Sequence, residues 1–340
     1  MNSASIDQIN SKVVTFGEVM MRLATPRNSR FPQTDLLQLT FGGGEANVAI
    51  SLAYLGIEAS HVTCFPDNLI GKAATQYLRR HWVNTSQIRY GGEEMGIYFL
   101  EQGAVHRSST IVYDRSHSAF ALADASIYDW EHILKGKDWF HWTGITPALS
   151  RMAAKSCLEA VKAANKFGIT VSADLALRKG LWKNSEEASV ILRELVNYSN
   201  VIIAGTRELD LLLDDTKGSL DEKVQKVQKL YPSVTVIADK DRKSRNASIN
   251  TIKGMLWNGK RKITAKGLEV THVVDRVGTG DAFAAGLIFG LLTMEKQEEA
   301  LDFATAACAL KHTIEGDANM VFEEEVMRLA SGDTSGRIIR

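Results

Sequence analysis

Short β-type runs alternate with longer helical ones along most of this chain, and that rhythm limits its fold more than any other feature. VVTFG (13–17) reads as a strand, NVAISLAYLG (47–56) as an apolar-faced helix closed by a glycine, and HVTCF (61–65) as a strand again. RMAAKSCLEAVKAANKFG (151–168), ITVSAD (169–174), a helix around 186–197, NVIIAG (200–205), a helix around 220–230 and VTVIAD (234–239) repeat the pattern. Such βαβ units build a mostly parallel sheet covered by helices. One segment breaks the rhythm. GIYFLEQGAVHRSSTIVYDRSHSAFALA (96–123) reads as strands joined by a glycine-containing turn, with no helix between them. A parallel crossover needs a helix, so these strands are expected to pair antiparallel and to stand apart from the main sheet. The expected fold is therefore α/β: a central, mostly parallel sheet flanked by helices, with a small β-sheet lid formed mainly by 96–114 and joined by strands near 37–40. The five prolines are spread out and there is no repeat or linker, so 1–340 reads as a single domain.

Composition narrows the function. The 340 residues are 45% hydrophobic, enough for a sizeable core. Forty Lys and Arg balance forty Asp and Glu, which leaves no basic field for nucleic acid. Cys64, Cys157 and Cys308 are scattered without CxxC spacing, as expected of buried thiols in a reducing compartment, and zinc is not indicated. The polar start MNSASIDQINSK lacks a signal-peptide core, and the longest apolar run, 282–292, is too short to span a bilayer. The sequence reads as cytoplasmic, with no membrane or nucleic-acid partner.

Two glycine-bearing helix entrances carry the chemistry. In DRVGTGDAFAAGLIFGLL (275–292), the small residues Gly278, Thr279 and Gly280 open a helix. Such a turn aims backbone N–H groups and the positive end of the helix dipole at one point, which suits a phosphate. Asp281 falls in the first turn, placed to take a proton from a hydroxyl nucleophile. The plainer alternative is an N-terminal cap on a buried helix. The motif is neither a dinucleotide fingerprint nor a Walker A loop. GMLWNGKR (254–261) comes near the latter but ends in Arg, and its Asn258-Gly259 pair predicts a hairpin turn. In FGGGEANVAISLAYLG (41–56), bare backbone at Gly43 and the amide of Asn47 suit a polyhydroxylated ligand, or simply a tight loop before a helix.

Together, GGGEANVAISLAYLG (42–56) and DRVGTGDAFAAGLIFGL (275–291) resemble the two signature stretches of the ribokinase-like (PfkB) carbohydrate kinases. The likeness runs nearly end to end. Within the family it is strongest to the 2-keto-3-deoxygluconate kinases, through VVTFGEVMMRLATP, GIYFLEQGAVHRSS, IVYDRSHSA, WFHWTGITPAL, KHTIEGDANMV and SGDTSGR. This resemblance implies transfer of a phosphoryl group from ATP, with Mg2+, to a primary hydroxyl of a sugar acid. It makes Asp281 the base and Gly278, Thr279 and Gly280 the anion hole. It implies that Gly43 and Asn47 hold sugar hydroxyls while Tyr98, Tyr113 and Arg115 close over them. Arg115 and Arg178 match the pocket positions that would receive the carboxylate. Glu208 would serve the metal and phosphates, and Lys240, Arg242 and Asn319 the nucleotide. His141 reads as structural.

Three departures from the family pattern stand out. Ala176 replaces the asparagine of D-x-N-x-R, Gly205 replaces that of N-x-x-E, and IADKDRKSRNAS (237–248) replaces a more neutral segment resembling T-L-R-E-S. They open a second reading, a catalytically weakened relative that binds a sugar acid. A third is a kinase for a neutral sugar such as fructose, against which stands the cost of burying two arginines without an anionic partner. Exposed strand edges in the lid predict a homodimer formed through it.

Overall fold

Nine strands of the main sheet and four of a smaller one account for most of the β structure in this computed structural model, which describes residues 11–337 except 179 and 183. Across the main sheet run Glu58–Val62, Lys12–Phe16, Trp139–Thr143, Thr170–Asp174, Val201–Ile203 and Val236–Ser244, all parallel. Asn250–Trp257 then pairs antiparallel with Val236–Ser244, and Lys262–Thr264 and Leu268–Val270 both pair antiparallel with Asn250–Trp257. The turn expected at Asn258-Gly259 joins two of these antiparallel strands, with Gly259 at φ +78°.

Strands in the centre of such a sheet are buried on both faces, and their side chains show it: Val13, Val14, Phe140, Trp142, Val171, Ala173 and Ile202 are fully inaccessible. One face is covered by the helices Gly44–Tyr54, Thr279–Thr293 and Gln297–Lys311, the other by Arg151–Lys166, Ser185–Val196, Thr206–Leu213 and Leu220–Leu230. Two glycines inside Thr279–Thr293 have a packing reason. A Cβ on Gly286 would stand 2.8 Å from the Ala304 Cα and one on Gly290 2.6 Å from the Ala300 Cα, so their absence lets Gln297–Lys311 lie close. His141 is buried, with Nδ1 2.8 Å from the Ser172 hydroxyl, as a structural histidine should be. All three cysteines are free and buried. No helix among the described residues is long and apolar enough to cross a membrane.

The smaller sheet has the order Gln38–Gly42, Met20–Ala24, Ile97–Glu101, Thr110–Asp114. Its outer pairs are antiparallel, as expected, but Met20–Ala24 and Ile97–Glu101 run parallel. The pattern in 96–123 concealed this because the inner partner comes from 20–24. The chain between the two strands passes through the Gly44–Tyr54 helix and the main sheet, so no hairpin constrains their direction. Thr40, Arg22, Tyr98 and Tyr113 share one face in register; Leu39, Leu23, Phe99 and Val112 share the other.

Candidate active site

Two helix N-termini converge where the sheets meet. Gly43 precedes Gly44–Tyr54 in an extended conformation, and a side chain there would collide with the Glu18 carbonyl. Gly278 caps Thr279–Thr293 at φ +79°, and a side chain there would collide with the Asp317 carbonyl. Both glycines are thus required by close approach, the second also by its left-handed backbone. From these two helices, Asn47 Nδ2 donates to Asp281 Oδ2 at 2.7 Å. The Gly44–Tyr54 helix is fixed from below by buried Glu45, whose Oε1 accepts from the Thr143 amide (3.1 Å) and hydroxyl (2.8 Å) and from the Thr146 hydroxyl (2.5 Å). Burial holds the Glu45 acid above its ordinary range despite these donors.

Asp281 is pushed up to about 7 by burial, against the pull of the Asn47 amide and with help from Asp174, Asp317 and Glu45. A carboxyl poised near neutrality is matched to accepting a proton from an alcohol. Lys240 completes this corner. Its Nζ lies 3.6 Å from Asp174 Oδ2 and 3.4 Å from where a Cβ on Gly280 would stand, with the ammonium 5.4 Å over the Phe283 ring. Burial alone would lower the Lys240 ammonium, but Asp174, with Cys308, Asp239 and Asp281, outweighs it and raises it, so the cation is retained beside the helix entrance.

The remaining residues singled out in the sequence fall into two groups. Glu208 belongs to a second acidic corner: its Oε2 accepts from the Gly205 amide at 3.1 Å. A Cβ on Gly205 would lie 3.3 Å from that oxygen and 3.5 Å from Asp239 Oδ1, so two carboxylates face the place of the missing asparagine. Paired carboxylate oxygens of this kind fit Mg2+, which takes one or two such ligands and completes its shell with water and phosphate. No cluster of three His, Cys, Asp or Glu able to hold a metal occurs among the described residues. Arg242 is exposed further along the same strand as Lys240. Asn319 is buried, its Nδ2 donating to the Ala307 carbonyl at 3.2 Å, so its amide ties its loop to the Gln297–Lys311 helix.

The substrate-side residues differ more from expectation. Arg115 Nε donates to buried Glu18 at 2.7 Å, with the Tyr113 ring 5.6 Å from its guanidinium. Arg178 is exposed. Neither is a buried cation lacking a partner, so the desolvation argument against a neutral sugar does not hold: Glu18 supplies the charge for one and solvent surrounds the other. Tyr113 is half exposed on the small sheet, while the Tyr98 hydroxyl is engaged with Asp317 Oδ2 at 2.5 Å. Sequence reasoning missed Glu18, Glu45, Arg22, Asp275 and Asp317. Their partners lie far along the chain, as with Arg22 and Asp317, 295 residues apart, and no local pattern connects them.

A parallel α/β sheet, a second small sheet, and a carboxyl beside a glycine turn at a helix N-terminus define a sugar-kinase architecture. Residues 10–323 match the pfkB family carbohydrate kinases, and the chain belongs to that family. It is 30% identical over 331 residues to the 2-dehydro-3-deoxygalactonokinase of Haloferax volcanii, covering 96% of this chain and 99% of the relative. Among solved structures it resembles the 2-dehydro-3-deoxygluconokinase of Thermotoga maritima, with 41% identity, a TM-score of 0.91, and coverage of 95% of this chain and 100% of that one. A PfkB family carbohydrate kinase from Listeria grayi is 34% identical, with a TM-score of 0.91 over 94% of this chain and 100% of its own.

Proposed function

We propose that this kinase transfers the terminal phosphoryl group of ATP, with Mg2+, to the primary hydroxyl of 2-keto-3-deoxygluconate or a closely related sugar acid. The observation that carries the reading is the Asp281 carboxyl, hydrogen-bonded to Asn47, lifted to about 7 and set in the first turn behind Gly278–Gly280. The names of the Haloferax and Thermotoga proteins support the sugar-acid class.

In this reading Asp281 takes the proton of the attacking hydroxyl while Asn47 orients the carboxylate. The N–H groups of Gly278, Thr279 and Gly280, at the positive end of the helix dipole, receive the charge that develops on the transferring group, and Lys240 adds a cation beside them. Mg2+ would neutralise the phosphates, with Glu208 and Asp239 as its protein ligands. Arg178 meets the sugar carboxylate and the small sheet acts as a lid that excludes water, Tyr113 and Arg115 lying on or beside it. The whole chain works as one kinase domain in the cytoplasm, in keeping with its buried free thiols. The lid also makes a homodimer. Its outward row Leu39, Leu23, Phe99 and Val112 is apolar, with Leu39 51% and Val112 53% exposed, and a second copy would cover it.

The test is ADP release from ATP and Mg2+ with 2-keto-3-deoxygluconate, 2-keto-3-deoxygalactonate, fructose, ribose and adenosine in parallel. Turnover with sugar acids alone supports the reading. Fructose turning over as fast would make this a neutral-sugar kinase, and sugar-acid binding by calorimetry without turnover would make it a weakened relative.

A further inference from the structure

Arg22 stands on the Met20–Ala24 strand of the small sheet, and its side chain is 3% exposed. Its guanidinium reaches across to the glycine turn: Nη1 donates to Asp317 Oδ1 at 2.5 Å and Nη2 to Asp275 Oδ2 at 2.6 Å. Two further residues of the sheet and its following loop reinforce the pair. Tyr98, opposite Arg22 in register, donates its hydroxyl to Asp317 Oδ2, and Gln102 Nε2 donates to Asp275 Oδ2 at 3.1 Å.

Both aspartates shape the turn that leads into Thr279–Thr293. Asp275 Oδ1 accepts from the Val277 amide at 3.0 Å and its Oδ2 from the Gly316 amide at 3.2 Å. The Asp317 carbonyl fills the space beside Gly278 that a side chain would need. Two carboxylates buried this closely require a cation, and a planar guanidinium fork can serve both at once. The neighbouring Lys311 ammonium donates to the Ile314 carbonyl at 2.8 Å, so Arg22 is the group that bridges the two aspartates.

We propose that Arg22, assisted by Tyr98, is a positioning residue that sets the aim of the Gly278–Gly280 amides from the small sheet. Seating the sheet over a sugar and readying the phosphoryl site are then one mechanical event. This rests on the kinase reading, but one of its two readouts does not. Arg22→Lys keeps the charge and loses the fork; Tyr98→Phe loses a single hydroxyl and leaves the bridge, so it remains informative should the first variant not fold.

Both variants are compared with the wild-type protein in steady-state turnover of ATP with the sugar acid, and in hydrogen–deuterium exchange of the ligand-free protein. The expected result is a kcat lowered about tenfold or more with sugar KM within about threefold, as for loss of a transition-state interaction. Amides in 275–281 and 314–319 should exchange faster while the main-sheet strands do not. A kcat within twofold of wild type, a raised sugar KM with unchanged kcat, or exchange that rises everywhere would overturn the proposal. If the wild type itself does not turn over, the kinase reading fails, and exchange confined to the two loops still decides the coupling.

Discussion

Asp281→Asn should cut turnover by orders of magnitude and at the same time make the protein more stable. The variant keeps the side-chain shape and an oxygen for Asn47 to donate to, but it cannot ionise. In the folded protein the Asp281 acid sits at about 7, against an ordinary 3.8. Between those two values the native state holds a proton that the unfolded chain has released, so stability falls as pH rises through this window and stays low above it. At about 1.4 kcal/mol per pH unit, the gap is on the order of 4 kcal/mol. Asp281 is only part-buried, and solvent screening reduces the expected gain to roughly 2 kcal/mol at pH 8. For a chain of this length the unfolding entropy is about 0.7 kcal/mol per degree, so Tm should rise by about 3 °C.

The assay pairs calorimetric melting at pH 5 and pH 8 with ADP release. The stabilisation should be larger at pH 8 and shrink towards pH 5, while turnover falls by about 10²–10⁴-fold, the usual contribution of a general base. Wild-type kcat/KM should in turn climb with pH through about 7, as the base ionises. A variant less stable than wild type at pH 8 would refute the raised Asp281 acid. Turnover within tenfold of wild type would refute Asp281 as the base, however stable the variant.

Lys240→Met should lower kcat by roughly 10²-fold through loss of one cation beside the Gly280 turn, with melting followed alongside to separate lost chemistry from lost folding. Ala176 is held at φ +30°, where asparagine is better tolerated than alanine; Ala176→Asn should raise stability by about 0.5–1 kcal/mol in denaturant titration, and a loss of stability would show that the site has no room for the amide. Val112→Asp, on the exposed apolar row of the small sheet, should convert a dimer to a monomer in light scattering, and an unchanged mass would remove this face as the interface.

The alternation of strand and helix was legible because a 2.0 or 3.6 residue period is local, and each predicted helix and main-sheet strand from 151 to 239 is where the pattern placed it. The Gly278 turn was legible for a related reason: its left-handed backbone and crowded carbonyl neighbour leave only glycine. Met20–Ala24 escaped notice since its five residues carry an arginine on the side that turns inward, which reads as a solvent-facing position until Asp275 and Asp317 are brought to it. The partner of Arg115 was equally hidden: its guanidinium donates to Glu18, and that pairing spans 97 residues.

The three departures from the family pattern bear on one another once their positions in space are known. Ala176 follows Asp174, whose Oδ1 accepts from the Ala176 amide at 3.1 Å while Oδ2 faces Lys240 at 3.6 Å. Gly205 leaves a space bounded by Glu208 and by Asp239, the residue next to Lys240. Two lost amides and a recharged strand end therefore adjoin a single region between the Gly280 turn and the acidic corner. There two neutral hydrogen-bonding groups are gone and Lys240 stands beside Asp174, so charged groups take the place of neutral ones. The Lys240 cation stands over the entrance of the helix that carries Asp281, and Asp174, with Cys308, Asp239 and Asp281, outweighs the cost of burying it. A cation placed there, with Asp174 as counter-ion, is suited to a phosphoryl site, in line with the kinase family to which the chain belongs.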